Sequence, residues 1–223
     1  MTVALSGMNL AVEDWGLVDY KEAFARQQRL VEERLAGRGH DLLVLTEHPP
    51  TITLGRRGGC DDLRYPEQEY EARGLSLQRV NRGGLATAHE PGQLVAYPIL
   101  QLNKQDLHQY IQAFLQTVNA LLGDYGLTGQ LKEKAPGVWV NNKKICSFGI
   151  ALKKWTTSHG IALNVNNTLQ AFTTIVPCGV GTEQMTSMAL ELGRPVKMSD
   201  IKSRFVHHFC MQFGFSPVTG KLS

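Results

Sequence analysis

Two short runs, Val138–Val140 and Lys144–Phe148, flank the pair Asn141-Asn142. Asparagine tolerates the left-handed backbone that a tight two-residue turn demands, so this pattern predicts an antiparallel hairpin and commits part of the chain to a sheet. Further strands are expected at Leu42–Thr46 and Thr51–Leu54, on either side of the rigid bend His48-Pro49-Pro50, and at Gln93–Leu100 and Ile161–Val165. Between them lie helical patterns. Tyr20, Phe24, Leu30, Val31 and Leu35 recur at roughly helical spacing over residues 18–36, before Gly37. Leu107, Tyr110, Ile111, Phe114, Val118, Leu121 and Leu122 mark a second helix behind a capping Asp106. Thr186–Leu192 reads as a short helix closed by Gly193, and Ser199 is the expected cap of a last helix carrying Ile201, Phe205, Phe209 and Phe213. The polar stretch from Arg56 to Arg73 reads as a surface excursion and Arg82-Gly83-Gly84 as a tight loop. Helices interspersed with hairpin-linked strands predict an α+β, or mixed α/β, fold. No linker, repeat or low-complexity segment divides the 223 residues, so residues 1–223 read as a single domain.

The charge pattern excludes some partners. The net charge is +3, with Lys and Arg spread along the chain, whereas nucleic-acid binding usually concentrates a basic patch. Lys143-Lys144 and Lys153-Lys154 can help to dock an acidic partner, although such pairs are more often solvated surface. The four cysteines, at 60, 146, 178 and 210, form no C-x-x-C, and only the adjacent His207-His208 pairs two histidines, so no metal site is expected. With no secretory or transit pattern and no apolar stretch of membrane-spanning length, reduced thiols in a cytoplasmic protein are expected.

Two of these residues suggest chemistry. Cys178 lies in Val176-Pro177-Cys178-Gly179-Val180, a turn rather than a helix, which can present its sulfur to a pocket. A thiol is a strong nucleophile only as thiolate, and a nearby ammonium lowers its pKa; Lys144 can supply one if the chain folds back. For an arbitrary chain, a surface lysine and a small buried cysteine would be the commoner reading. Strand alternation is expected to put Lys144, Cys146 and Phe148 on one face, with Cys146 as small core packing. The glycines of Arg82-Gly83-Gly84 let backbone approach a ligand closely, or simply make a turn. His89 and His159 are tempting general bases, yet a lone histidine is more often a hydrogen-bonded structural residue.

The ordered blocks Arg82-Gly83-Gly84, His89-Glu90-Pro91-Gly92-Gln93, Lys144–Gly149, His159–Val165 and Pro177-Cys178-Gly179 resemble the lipoyl(octanoyl) transferase family over about Leu43 to Leu192. The resemblance implies a fold like that of the biotin and lipoate protein ligases. It implies Cys178 as the acyl-thioester nucleophile and Lys144 as its partner. The acyl-substrate site would comprise Arg82, Gly83, Gly84, Leu85, Ala86, Thr87, Ala88 and His89, with Ser147, Phe148, Gly149, Gly160, Ile161 and Ala162. The implied reaction carries octanoyl from acyl carrier protein to a lysine of the lipoyl domains of 2-oxoacid dehydrogenases or of the glycine cleavage H protein. It moves from thioester to amide and needs no ATP, metal or cofactor. A ligase on the same fold would activate the acid as an adenylate, using a Gly-Gly-Gly-containing loop that this chain lacks. A non-catalytic module holding a carrier protein would keep the pocket glycines but would not need both Lys144 and Cys178. The chain departs from the family pattern at Leu85, Ala88 and Glu90, where Gln, Tyr and Gly are usual. Ala88 is expected to widen or reshape the pocket and Glu90 to add charge near its rim, which leaves the preferred acyl length open.

Overall fold

The computed structural model describes residues 9–102, 106–132, 137–176 and 185–217. Its elements, in chain order, are β1 (Asn9–Leu17), α1 (Tyr20–Leu35), β2 (Leu42–Glu47), β3 (Thr51–Leu54), α2 (Gln68–Ala72), β4 (Ser76–Arg79), β5 (Ala86–His89), β6 (Gln93–Ile99), α3 (Leu107–Gly123), β7 (Gln130–Leu131), β8 (Gly137–Val140), β9 (Lys143–Lys153), β10 (Thr156–Asn164), α4 (Met188–Leu192), α5 (Met198–Phe213) and β11 (Ser216–Pro217). The larger sheet has the order β11-β1-β2-β6-β10-β9-β8-β7, and a smaller sheet has the order β4-β3-β5. Both are mixed: β1 runs parallel to β2 and β3 to β4, while β2–β6–β10–β9–β8 are successively antiparallel.

Period-two alternation sorts the large sheet's side chains into two cores. Leu43, Leu45, Leu94 and Ala96 pack with α3 and α5, whereas the intervening Leu42, Val44, Val95 and Tyr97 pack with Val31 of α1. The α3–α5 side is aromatic: Phe209 stacks on Phe213 with centroids 4.4 Å apart, and Phe114 meets Phe209 edge-on at 5.7 Å. Asp106 caps α3 through Gln109 N, as its position predicts. Ser187 caps α4 and left-handed Gly193 closes it. Ser199 does not cap α5: the helix starts at Met198, after an extended Lys197, which leaves Ser199 inside the first turn. The polar stretch from Arg56 to Arg73 is not purely a surface excursion either. It forms a 3-10 turn and α2, pinned by the fully buried Tyr70, whose hydroxyl donates to Thr174 O. Among the described residues, no helix is long and apolar enough to cross a membrane.

The predicted hairpin is present. Asn141 and Asn142 both have positive φ (48° and 63°), and Val140 pairs with Lys143. The ladder then slips by one residue between Val138↔Cys146 and Trp139↔Lys144. This β-bulge breaks the alternation. Ile145 and Cys146 both enter the α3–α5 core, and Lys144 does not share the face of Cys146 as strict alternation would require.

Candidate active site

A cavity of about 420 Å³ is walled by the 82–87 loop and β5 on one side and by β9 and β10 on the other, with α1 and β6 contributing Tyr20, Val95 and Tyr97. Of the residues that the resemblance assigns to substrate, Arg82, Gly83, Gly84, Leu85, Ala86, Thr87, His89, Ser147, Phe148, Gly149, Gly160, Ile161 and Ala162 all line it, and so does Lys144. The walls meet where Gly83 N donates to Ile150 O (2.9 Å) and where the Thr87 and Ser147 hydroxyls lie 3.4 Å apart. Arg82 is buried. Its guanidinium donates to Thr53 O (2.7 Å), Thr53 Oγ1 (2.8 Å) and Gly83 O (3.0 Å), and so fixes the loop. Gly160 is dictated by the neighbouring strand, because a Cβ there would lie 2.0 Å from Ala96 O.

Two expectations need correction. Ala88 does not widen the cavity. It is fully buried in a separate cluster with Ile52, Leu54 and Phe172, since alternation along β5 turns Thr87 and His89 towards the cavity and Ala88 away from it. Glu90 is not at the rim. It is buried, and its carboxylate accepts from Leu169 N (2.8 Å), Ala171 N and Asn167 Nδ2 (3.2 Å), tying down the start of a 3-10 turn at Ala171–Thr174.

Lys144 is only 5% exposed. Its carbonyl accepts from Thr186 N (3.0 Å) and its backbone bridges to Met185. Its Nζ lies 5.3 Å from the centroid of the buried Trp139 ring, within cation–π range. Its stem passes over Gly137, whose φ is 140° and where a Cβ would lie 2.8 Å from Lys144 Cε and 2.3 Å from Cys146 O. Gly137→Ala is therefore expected to move the lysine and slow turnover by about 100-fold, the scale on which a misplacement of about 1 Å costs rate. Steady-state assays on variant and parent check this, and equal rates would show that the glycine does not position Lys144. Cys178 lies outside the described residues. Before that stretch, Val176 N is held by Asp62 O (2.9 Å); after it comes Met185, beside Lys144.

The other thiols fit packing or surface. Cys146 is fully buried and burial pushes its thiol far up, Cys210 is buried in α5, and Cys60 is exposed. His208 joins Arg204 on the carboxylate of Asp124, and no group of three or more metal-ligating side chains occurs among the described residues.

The sequence reading missed a polar cluster at the cavity wall. His48, from the His-Pro-Pro bend, donates through Nδ1 to Val18 O (2.7 Å) and accepts from the Tyr97 hydroxyl (2.7 Å). His159 contacts Asn81 Oδ1 (2.6 Å) and stacks on Phe24. Burial lowers the pKa of His48 to about 4, and burial with the nearby Arg82 charge lowers that of His159 to about 3. Arg57 and Ile150 also line the cavity without a motif to announce them.

A model of the lipoyl protein ligase A/B catalytic domain matches residues 19–210. The chain is 43% identical over 213 residues to an octanoyltransferase of Roseiflexus sp. (strain RS-1), covering 93% of this chain and 89% of the relative. It is 42% identical over 214 residues to one of Solibacter usitatus (strain Ellin6076), covering 95% and 96%. In fold it is similar to a lipoate-protein ligase A bound with ATP (TM-score 0.78, 16% identity, 96% of this chain and 90% of that one). It is also similar to the biotin protein ligase of Aquifex aeolicus (TM-score 0.56, 16% identity, 92% and 70%). The chain belongs to the family of lipoyl protein ligase A/B catalytic domains and, within it, to the octanoyltransferases.

Proposed function

We propose that this chain, acting as one catalytic domain over residues 1–223, transfers octanoyl from octanoyl-acyl carrier protein to a lysine of lipoyl domains through a thioester on Cys178. The cytoplasm is its proposed site of action, and the acceptors are the lipoyl domains of 2-oxoacid dehydrogenases and the glycine cleavage H protein. The observation that carries this reading is a single buried lysine, Lys144, on the wall of a cavity otherwise rich in Val95, Phe148, Ile150, Ile161 and Ala162. A cavity of about 420 Å³ falls in the range that encloses small ligands, and these side chains suit an acyl chain.

In the first half-reaction the Cys178 thiolate attacks the donor thioester. A new C–S bond forms, the old one breaks, and the carrier leaves as a thiol carrying the proton of the Lys144 ammonium. In the second half the acceptor amine adds to the acyl-cysteine carbon, the C–S bond breaks, and the amine proton returns to Lys144 beside the regenerated thiolate. Thioester to amide is downhill, so the cycle closes without ATP.

The test is to incubate the protein with octanoyl-acyl carrier protein in the absence of ATP and to map the adduct by peptide mass. Octanoyl on Cys178 alone is expected. An adduct on Cys60, Cys146 or Cys210 instead, or modification of a lipoyl domain that requires free octanoate and ATP, would overturn the reading.

A further inference from the structure

His89 is locked as one neutral tautomer by acceptors that cannot reverse their roles. The carbonyl of Thr186 can only accept, so the Asn164 nitrogen that meets it (3.0 Å) is the donor and Asn164 Oδ1 is an acceptor. Gln93 Nε2 donates to that Oδ1 (2.9 Å) and also to Ala88 O (3.1 Å), a second carbonyl that can only accept. Gln93 Oε1 is then an acceptor, and His89 Nδ1, 2.9 Å away, must carry the hydrogen. The other ring nitrogen, Nε2, is left with a bare lone pair. Among the described residues it has no hydrogen-bond partner, and the ring lines the cavity.

The ring is also fixed in orientation. It stacks on Tyr20 (centroids 5.2 Å apart) and meets His48 edge-on at 5.5 Å. Burial first, and the Arg82 charge with it, outweigh the Gln93 bond and hold its pKa well below the ordinary histidine value. Glu90, next in the chain, directs its carboxylate to Leu169 and Ala171 instead. The network continues beyond His89: Asn164 donates to the carbonyl of Thr186, whose N–H donates to Lys144 O, so one hydrogen-bond path joins Gln93 to the backbone of Lys144.

We propose that His89 Nε2 is the hydrogen-bond acceptor that receives and orients the amine of the acceptor lysine for attack on the acyl-cysteine. The acyl chain has no N–H or O–H to offer, whereas the amine must present its lone pair to the thioester carbon and direct an N–H elsewhere. A neutral acceptor can take an N–H from the amine without adding the negative charge that would hold it as the unreactive ammonium. His89 keeps its own protonation state throughout: the C–N bond forms, the C–S bond breaks, and the amine proton passes to Lys144 as in the cycle above. This assignment rests on the transferase reading.

Two measurements test it. Nitrogen-15 spectra of the histidine-labelled protein are expected to show His89 with Nδ1 protonated and Nε2 bare from pH 6 to 8; an Nε2-protonated ring or an imidazolium would overturn the assignment. In single-turnover assays, His89→Asn keeps a donor for Gln93 but removes Nε2. It is expected to slow transfer to a lipoyl domain about 10- to 100-fold more than it slows acylation of Cys178. Equal slowing of both steps would mean a structural role, and a loss mainly in acylation would mean that the nitrogen reads an amide N–H of the carrier's arm; either result sinks the proposal. If the unmodified protein forms no acyl-Cys178, the transferase reading falls and this proposal with it.

Discussion

Lys144→Met is expected to slow acylation of Cys178 by roughly 10³-fold at neutral pH, within the range that positioned acid–base groups contribute. Methionine keeps most of the stem that crosses Gly137 and removes only the ammonium. Without that charge the Cys178 thiol should titrate near the ordinary cysteine value of about 8.5, so the deficit should shrink as pH rises and thiolate forms unaided. Lys144→Arg keeps the charge but cannot readily take a proton, so it should spare thiolate formation better than transfer to the amine. Rates of thiol alkylation against pH, beside single-turnover acylation and transfer, separate these effects. If Cys178 alkylates with the same pH profile in Lys144→Met as in the parent, Lys144 does not set the thiol pKa, and the proposed pairing is wrong.

The parts of this site that were legible in the sequence are those whose local chemistry has one structural solution. Asn141-Asn142 has few alternatives to a left-handed turn between apolar runs. Asp106 and Gly193 cap helices for similarly local reasons. What escaped was decided at long range. The second hairpin turn, Lys154-Trp155, also takes positive φ (46° and 64°), yet neither residue is a turn former; pairing of β9 with β10 imposes the conformation. β1 mixes Leu10, Ala11, Val12 and Trp15 with Asn9, Glu13 and Asp14 without clean alternation, and is a strand because β2 lies beside it. The bulge that turns Lys144 away from the Cys146 face changes register by one residue and leaves no mark in composition. Ala88 and Glu90 were misplaced because motif position says that a residue is near the ligand and not which way it points; β5 alternation and the N–H groups of Leu169 and Ala171 decide that. The histidine cluster was the largest omission. His48, His89 and His159 are 41 and 70 residues apart in sequence, and only the meeting of two sheets and α1 brings them together.

That cluster makes stability strongly acid-dependent. His48 has a folded pKa of about 4, His159 of about 3, and His89 lies well below the ordinary value, all for reasons of burial. In the unfolded chain each titrates near 6.5. Their folded values are depressed, so between about pH 6.5 and 4 the unfolded state binds protons that the fold excludes, and stability rises with pH across that window. His89 acts in the same direction as His48 and His159, which each contribute about 1.4 kcal/mol per pH unit once the unfolded form is protonated, so the latter two remove on the order of 2–3 kcal/mol between pH 6 and pH 5. That is a large share of the 5–15 kcal/mol typical of a folded domain, so cooperative unfolding should begin well above the range in which most carboxylates titrate. Above pH 6.5 the same groups should leave stability nearly flat. Urea denaturation at pH 5, 6, 7 and 8 measures this directly, and His48→Gln should make the acid slope shallower. A stability that does not change between pH 7 and pH 5 would mean that the three rings are not held neutral in the fold. It would also remove the physical basis for a bare Nε2 on His89.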